Sequence, residues 1–383
     1  MAHKIGYVDQ TGTWNLAHYN MLDTIRRFAM GYGEITNSGY TGTGNGTMTG
    51  KDALPAAVSE TWTVTCITAA ENGGTFSVVG SVSGAKANAV VGTPYDNGLV
   101  QFTINDGSID FIVGDVFTFD SVQSDVSAND ENWEELLYDV SAENHKLILK
   151  GKGLSGTEEI YVGFRTYHNV SADYYNLAAM VCTGYVPAND FDNQPNVVIS
   201  GVPAHNQRID YWLTLNAQRI ALAMKVGTPV YESAYVGKFL PYARPNQFPY
   251  PIVCGGMLSG VAATRFSDTA HSIPYKGNRA NMKMRDLMGV WQQVRCYPYS
   301  NESGYLAGTT NALRDTGGNY HLMPVELFEL TKNLFGALDG IYFITGFDNT
   351  VENTVTINGV TYVVIQDVWR TGFPDYYAIR MDT

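Results

Sequence analysis

The chain has 383 residues, which fits two or three domains at roughly 100–200 residues each. Hydrophobic residues make up 45% and charged residues 16%, the latter below the usual share of about 25%; wholesale disorder is excluded. Lys plus Arg is 24 and Asp plus Glu is 37, a formal charge of −13, which repels phosphate backbones and anionic lipid, so no nucleic-acid and no membrane partner is expected.

Residues 14–31 carry Leu22, Ile25, Phe28 and Ala29 at helical spacing, with Arg26 and Arg27 on another face; this predicts a helix that Gly31 and Gly33 end. The Gly/Thr-rich run 36–50 predicts a flexible linker extending to about residue 57. Between 60 and 121 the pattern changes. Trp62–Ile67, Phe76–Val82, Ala89–Val91, Val100–Ile104, Ile109–Val113 and Val116–Phe119 are short strand-like runs separated by Asn97-Gly98, Asn105-Asp106-Gly107 and Gly114-Asp115. Tight turns between short alternating runs predict a small β-sandwich or barrel. The expected organisation is an N-terminal helix and linker at 1–57, an inserted β domain at 58–123, and a main β-rich α+β core at 124–383. The fold class is α+β, β-rich, with antiparallel sheets and few helices.

In the core, Trp133–Tyr138 predicts a short helix or capped turn. Lys146–Lys150 and Glu159–Tyr167 predict a hairpin. Tyr174–Tyr185 fits helix or strand equally, and Val197–Ile199 predicts a short strand. Tyr211–Leu215 and Arg219–Val226 predict paired strands around Asn216-Ala217. Val230–Leu240 has Tyr231, Ala234, Tyr235 and Lys238 near one helical face. Gly289–Tyr297 alternates as one strand. Pro324 opens an expected helix to 336 with Leu327, Leu330 and Leu334 on one stripe. The last segment predicts strands at 341–344, 354–357, 361–365 and 376–380, with Asn358-Gly359 as a hairpin turn.

Catalytic and metal signatures are weak. Gly151-Lys152-Gly153-Leu154-Ser155-Gly156 matches G-x-G-x-x-G, but strand-like residues follow where a phosphate site needs a helix N-terminus. Cys254 with His271 as base is a conceivable nucleophile, although a Cys ending an apolar run is more simply a small buried hydrophobe. Asp106, Asp110 and Asp115, and the run Asp348–Glu352, are oxygen-rich loops that fit Ca²⁺ or ordinary β-turns. Glu134 and Glu135 are adjacent and cannot flank a sugar as a glycosidase pair does. The four cysteines (66, 182, 254 and 296) form no CxxC pair and the seven histidines no metal-ligand spacing. No catalytic residue, metal or cofactor is expected. Met1–Asp9 does not resemble a signal peptide, and no run of ~18–20 apolar residues is present, which fits synthesis in a reducing cytoplasm.

The composition points to surfaces instead. There are 25 Tyr against 16 Phe and 6 Trp, and Tyr suits surfaces that are buried in one state and wet in another. Residues 241–251 contain four prolines, which forbid helix and interior strand. The result is an extended aromatic arm with Tyr242, Arg244, Phe248 and Tyr250 as candidate interface anchors, since rigid Pro spacing reduces the ordering entropy of binding. Packing of the arm over its own core is the alternative.

Leu149–Gly163 (LKGKGLSGTEEIYVG), Phe239–Val253 (FLPYARPNQFPYPIV), Asp339–Phe347 and Thr361–Arg370 together resemble segments of virion structural proteins of contractile-tailed bacteriophages, in a likeness scattered over more than half the chain. The resemblance implies a non-enzymatic tail or baseplate component, assembled in host cytoplasm, whose partners are copies of itself and other virion proteins. A receptor-binding or tail-fibre protein contacting host surface glycan is one alternative. A neck, collar or capsid decoration protein is another.

Overall fold

A computed structural model describes residues 1–243, 251–260, 264–268, 271–286, 288–299, 314, 317–329 and 333–381. The chain divides into two compact units, one made of residues 1–26 and 133–383, the other of 27–132. Both are built from antiparallel sheet, and the β-rich α+β class is what the structure shows.

The centre of the larger unit is a seven-stranded sheet in the order Ala2–Val8, Ile209–Asn216, Arg219–Lys225, Tyr231–Lys238, Ile252–Gly255, Met282–Arg285, Trp291–Gln293. A five-stranded meander, Glu134–Asp139 through Val198–Pro203, covers one face. A third sheet covers the other, with Leu334–Phe343 and Tyr376–Arg380 paired at its middle. Cys254 stands opposite Val236 and reaches the carbonyl of Ala179 in the meander. Ser233, on the alternate face, bonds the hydroxyl of Tyr377 in the third sheet.

Burial on both sides explains the sequence pattern. Seven of the eight residues of Tyr231–Lys238 are buried, so the run lacks the polar alternation that marks a half-buried strand. The helical spacing expected over 230–240 is a coincidence of that uniform burial. At Gly237 φ is +114°, and a Cβ there would lie 2.4 Å from the Gln218 carbonyl oxygen, so the close approach of the turn at Ala217-Gln218 requires glycine.

Other expectations are corrected by tertiary pairing. Glu134–Asp139 is a strand, the edge of the meander, not a helix. The expected helix from Pro324 is two strands, Met323–Phe328 and Leu334–Phe343. Leu327 faces Gly336 and Leu334 faces Phe328 across them, while Leu330 lies outside the described residues. The single strand expected over 289–297 is broken into Trp291–Gln293 in the central sheet and Arg295–Tyr297 in the third. The edge strand Ala2–Val8 was not foreseen. The hairpin at 146–169, the pair at 209–225 and the Asn358-Gly359 turn are where the sequence placed them.

The helix Ala17–Met30 buries Met21, Leu22 and Ile25, and Arg26 bonds Glu135 and lies 4.3 Å from the Tyr138 ring centre. Gly31, at φ +82°, ends it.

In the smaller unit the Gly/Thr run is not a linker. Glu34–Thr41 pairs with Val116–Val122, and Thr47–Ala53 pairs with Val100–Asn105. Its two sheets enclose a core of Trp62, Val64, Phe76, Phe102, Ile104, Phe117 and Phe119, and the strict alternation of Val100–Asn105 is that of a strand half-buried in a sandwich. Residues 109–113, expected as a strand, form a loop.

Candidate assembly surfaces

Both ends of the proline-rich segment are tied to the larger unit. Phe239 is buried, and its N–H donates to the Pro251 carbonyl at 3.1 Å. Leu240 and Pro241 then pair with Ala337 and Gly336. A Cβ on Gly336 would sit 2.2 Å from the Leu240 carbonyl oxygen, so this approach needs glycine. The Tyr242 N–H donates to the Phe335 carbonyl at 2.9 Å, and its hydroxyl donates to Glu326. Burial of the hydroxyl and the Glu326 carboxylate push that phenol up to about 12. Tyr242 is thus held at both ends, yet 56% of it remains exposed, beside exposed Leu240 and Leu334. Arg244, Phe248 and Tyr250 lie outside the described residues.

A second surface occurs on the smaller unit and was missed because residues 109–113 alternate like a strand. Phe111 enters the core, while Ile109, Ile112 and Val113 are 52%, 49% and 63% exposed. Buried Asp115 holds the loop: its carboxylate accepts from the N–H groups of Thr43 (2.8 Å), Gly44 (3.0 Å) and Ile112 (3.1 Å) and from the Tyr40 hydroxyl (3.1 Å). Burial would raise its pKa, but these donors outweigh that and hold it below the ordinary carboxylate range. Asn45 and Ile109 exchange two more bonds. The exposed aliphatic tip is therefore a shaped feature on a unit with 3 Lys or Arg against 12 Asp or Glu.

The catalytic and metal candidates meet in no reactive arrangement. Burial pushes the Cys254 thiol up to about 12, where little thiolate exists at neutral pH. Its proposed base is committed elsewhere: His271 Nδ1 is 2.9 Å from Glu232, and Nε2 is 2.5 Å from the Asp268 carbonyl oxygen. The Gly151–Gly156 segment is a hairpin loop running into the strand Ile160–Asn169. Four of the five carboxylates named in the oxygen-rich loops have protein partners: Asp115 the donors above, Asp110 the Asn72 N–H, Asp348 Arg314, and Glu352 Lys225 and Tyr231; Asp106 Oδ1 is buried with no hydrogen-bond partner. Among the described residues no group of three or more His, Cys, Asp or Glu side chains is placed to hold a metal ion.

A further buried polar cluster is one the sequence did not signal, because its members are far apart in the chain. Asp367, fully buried, accepts from the Ile273 N–H (2.8 Å), the Ser272 hydroxyl (3.1 Å), Lys276 (2.7 Å) and Arg370 (3.1 Å). Lys276 also bonds Asp375. Beside it lies a cavity of about 400 Å³ lined in part by Lys276, Asn278, Gln293, Arg295 and Tyr299. Its described lining has no carboxylate, thiol or imidazole, and its ionisable side chains are Lys276, Arg295 and Tyr299; Lys276 is bonded to Asp367 and Asp375, and the Tyr299 hydroxyl donates to the Tyr376 carbonyl.

No family model matches this chain, and no curated protein matches it. Among solved structures, FlgL of Xanthomonas campestris is similar over 27% of this chain at 17% identity, with a TM-score of 0.19. This chain spans 36% of that protein's length, and a likeness at that score carries no argument about fold or function.

Proposed function

We propose that the chain is a non-enzymatic structural component of a bacteriophage tail or baseplate, acting through contacts with copies of itself and with other virion proteins. The reading begins from the resemblance of residues 149–163 and 239–253 to virion proteins. The observation that best supports an assembly role is Tyr242: an aromatic side chain pinned by its backbone and its hydroxyl, more than half exposed, at the start of a Pro- and Tyr-rich run of the sequence. Preorganised aromatic anchors of this kind bind with little further loss of conformational freedom. The tip of the smaller unit supports a second contact. Its side chains are aliphatic rather than aromatic, and they sit on an acidic unit, which suits a basic-rimmed protein surface better than the sugar rings of the receptor-binding alternative.

Light scattering on the purified full chain tests the assembly role, with a monomer mass of 42.0 kDa as reference. The expected result is a closed oligomer, such as a trimer or hexamer, that Tyr242→Ala shifts toward the monomer. A monomer at every accessible concentration, with Tyr242→Ala indistinguishable from the parent, would overturn the arm as a self-assembly contact.

A further inference from the structure

Three of the seven histidines, distant in sequence, gather where the first turns of the helix Ala17–Met30 meet the meander. His18 and Tyr19 come from the helix, His145 from the segment before Lys146–Gly151, His168 from Ile160–Asn169 and Tyr175 from Tyr174–Cys182. His18 is fully buried, and neither of its ring nitrogens has a hydrogen-bond partner. Its ring centre lies 4.5 Å from Tyr19 and 5.6 Å from both His168 and Tyr175. His145 stacks on Tyr19 at 4.0 Å, and its Nδ1 is also buried without a partner.

The acids facing this cluster are few. Glu143 lies 3.1 Å from His168 Nε2, but its own side chain is 76% exposed. Tyr19 donates its hydroxyl to the Glu143 carbonyl and lies 3.2 Å from His168 Nδ1. Asp139 acts on His145 at longer range, its carboxylate bonded to Ser141. His18 therefore has no counter-ion within hydrogen-bond reach, and a proton on any of the three rings repels a proton on the others. A buried charge without a partner is among the most unfavourable things a fold can hold.

We propose that His18, enclosed by Tyr19, His145, His168 and Tyr175, is an acid-sensitive latch: neutral, it seats the first turns of the helix on the meander, and protonated, it forces that contact open. Burial, and then the neighbouring His168 and His145, hold His18 down to about 3 in the closed state. Burial likewise lowers His145. In an opened chain an imidazole titrates near 6.5. The open form thus binds more protons between those values, so closure is complete above about pH 6.5 and weakens as pH falls. For His18 alone the opening equilibrium grows up to tenfold per pH unit, about thirtyfold by pH 5.

Hydrogen exchange of the full chain at pH 7.5 and pH 5, corrected for intrinsic exchange rates, reads the latch locally. Peptides covering residues 14–26 and 141–147 are expected to lose protection at pH 5, while the central strand Arg219–Lys225 keeps its own. His18→Phe, which removes the titrating ring, is expected to retain helix protection at pH 5. An NMR titration of the wild-type histidines needs no variant: the His18 ring should stay neutral for as long as the helix is protected. Retained protection of wild-type 14–26 at pH 5 would overturn the latch. So would a His18 ring titrating near 6.5 on a protected helix, or equal acid loss in His18→Phe.

Discussion

Asp367→Ala is the most informative single perturbation of the larger unit. The carboxylate is fully buried and accepts four hydrogen bonds, two of them from the cations Lys276 and Arg370. Lys276 retains Asp375 after the change, but the buried Ile273 N–H and Ser272 hydroxyl lose their acceptor. Removing one partner of a buried ion pair typically destabilises by about 3–5 kcal/mol, and an orphaned buried donor by about 1–3 kcal/mol. The two ranges overlap in what they count, so the expected loss is about 3–5 kcal/mol in all. Urea unfolding followed by tryptophan fluorescence measures it, since Trp369 lies 5.7 Å from His271 and reports this region directly. The midpoint should fall with the slope nearly unchanged. Asp367→Asn, which keeps the shape and one acceptor oxygen, should fall between wild type and Ala. A loss below about 1 kcal/mol for Asp367→Ala would refute the reasoning, because the network would then not be what fastens residues 272–276 to the strand end at 366–370.

Gly237→Ala should destabilise by at least ~2 kcal/mol, since positive-φ strain and overpacking against the Gln218 carbonyl oxygen, 2.4 Å from the new Cβ, are each worth about 1–3 kcal/mol; thermal melts check this, and a neutral substitution would show that the turn at Ala217-Gln218 can give way. The Glu232–His271 pair should give a pH dependence opposite in sign to that of the His18 latch. Burial lowers His271, but the Glu232 carboxylate outweighs it and the pKa is raised, while burial pushes Glu232 up to about 7. Both groups bind more protons folded than unfolded, so their contribution is complete below the unfolded values, near 4.5 for Glu and 6.5 for His, and is lost as pH rises through the raised ones. Urea midpoints between pH 5 and 9 should show this decline in wild type and a flatter profile in Glu232→Gln/His271→Gln; an identical decline in the double variant would refute it.

The elements legible in the sequence were those whose signal is local. Asn358-Gly359 and Asn97-Gly98 dictate their turns through backbone geometry alone, and Leu22, Ile25 and Phe28 mark a helix because one face packs and the other is wet. The elements misread were those whose burial is decided at long range. Tyr231–Lys238 is covered on both sides, so it carries no period-2 pattern. Thr47–Ala53 is polar along most of its length and becomes a strand only because Val100–Asn105 supplies a partner. Met323–Phe328 takes its register from Leu334–Phe343, with a bulge after Pro324, and no window short of both strands contains that information.

The candidate surfaces divide the same way. Tyr242 could be picked out because the prolines around it forbid regular structure, a restriction that belongs to the residues themselves. The tip at Ile109, Ile112 and Val113 could not, because what turns those side chains outward is the carboxylate of Asp115 gathering N–H groups from Thr43 and Gly44, about seventy residues earlier in the chain. The histidine cluster is the extreme case. His18, His145 and His168 obey no spacing, and each alone is an ordinary core histidine. Their shared property, three rings gathered with no acid within hydrogen-bond reach of His18, exists only after the meander has closed over the helix. Chemistry that depends on what is missing around a residue is therefore visible only in the fold, and it is in the fold, by local exchange rather than global melting, that the latch can be separated from the opposing Glu232–His271 pair.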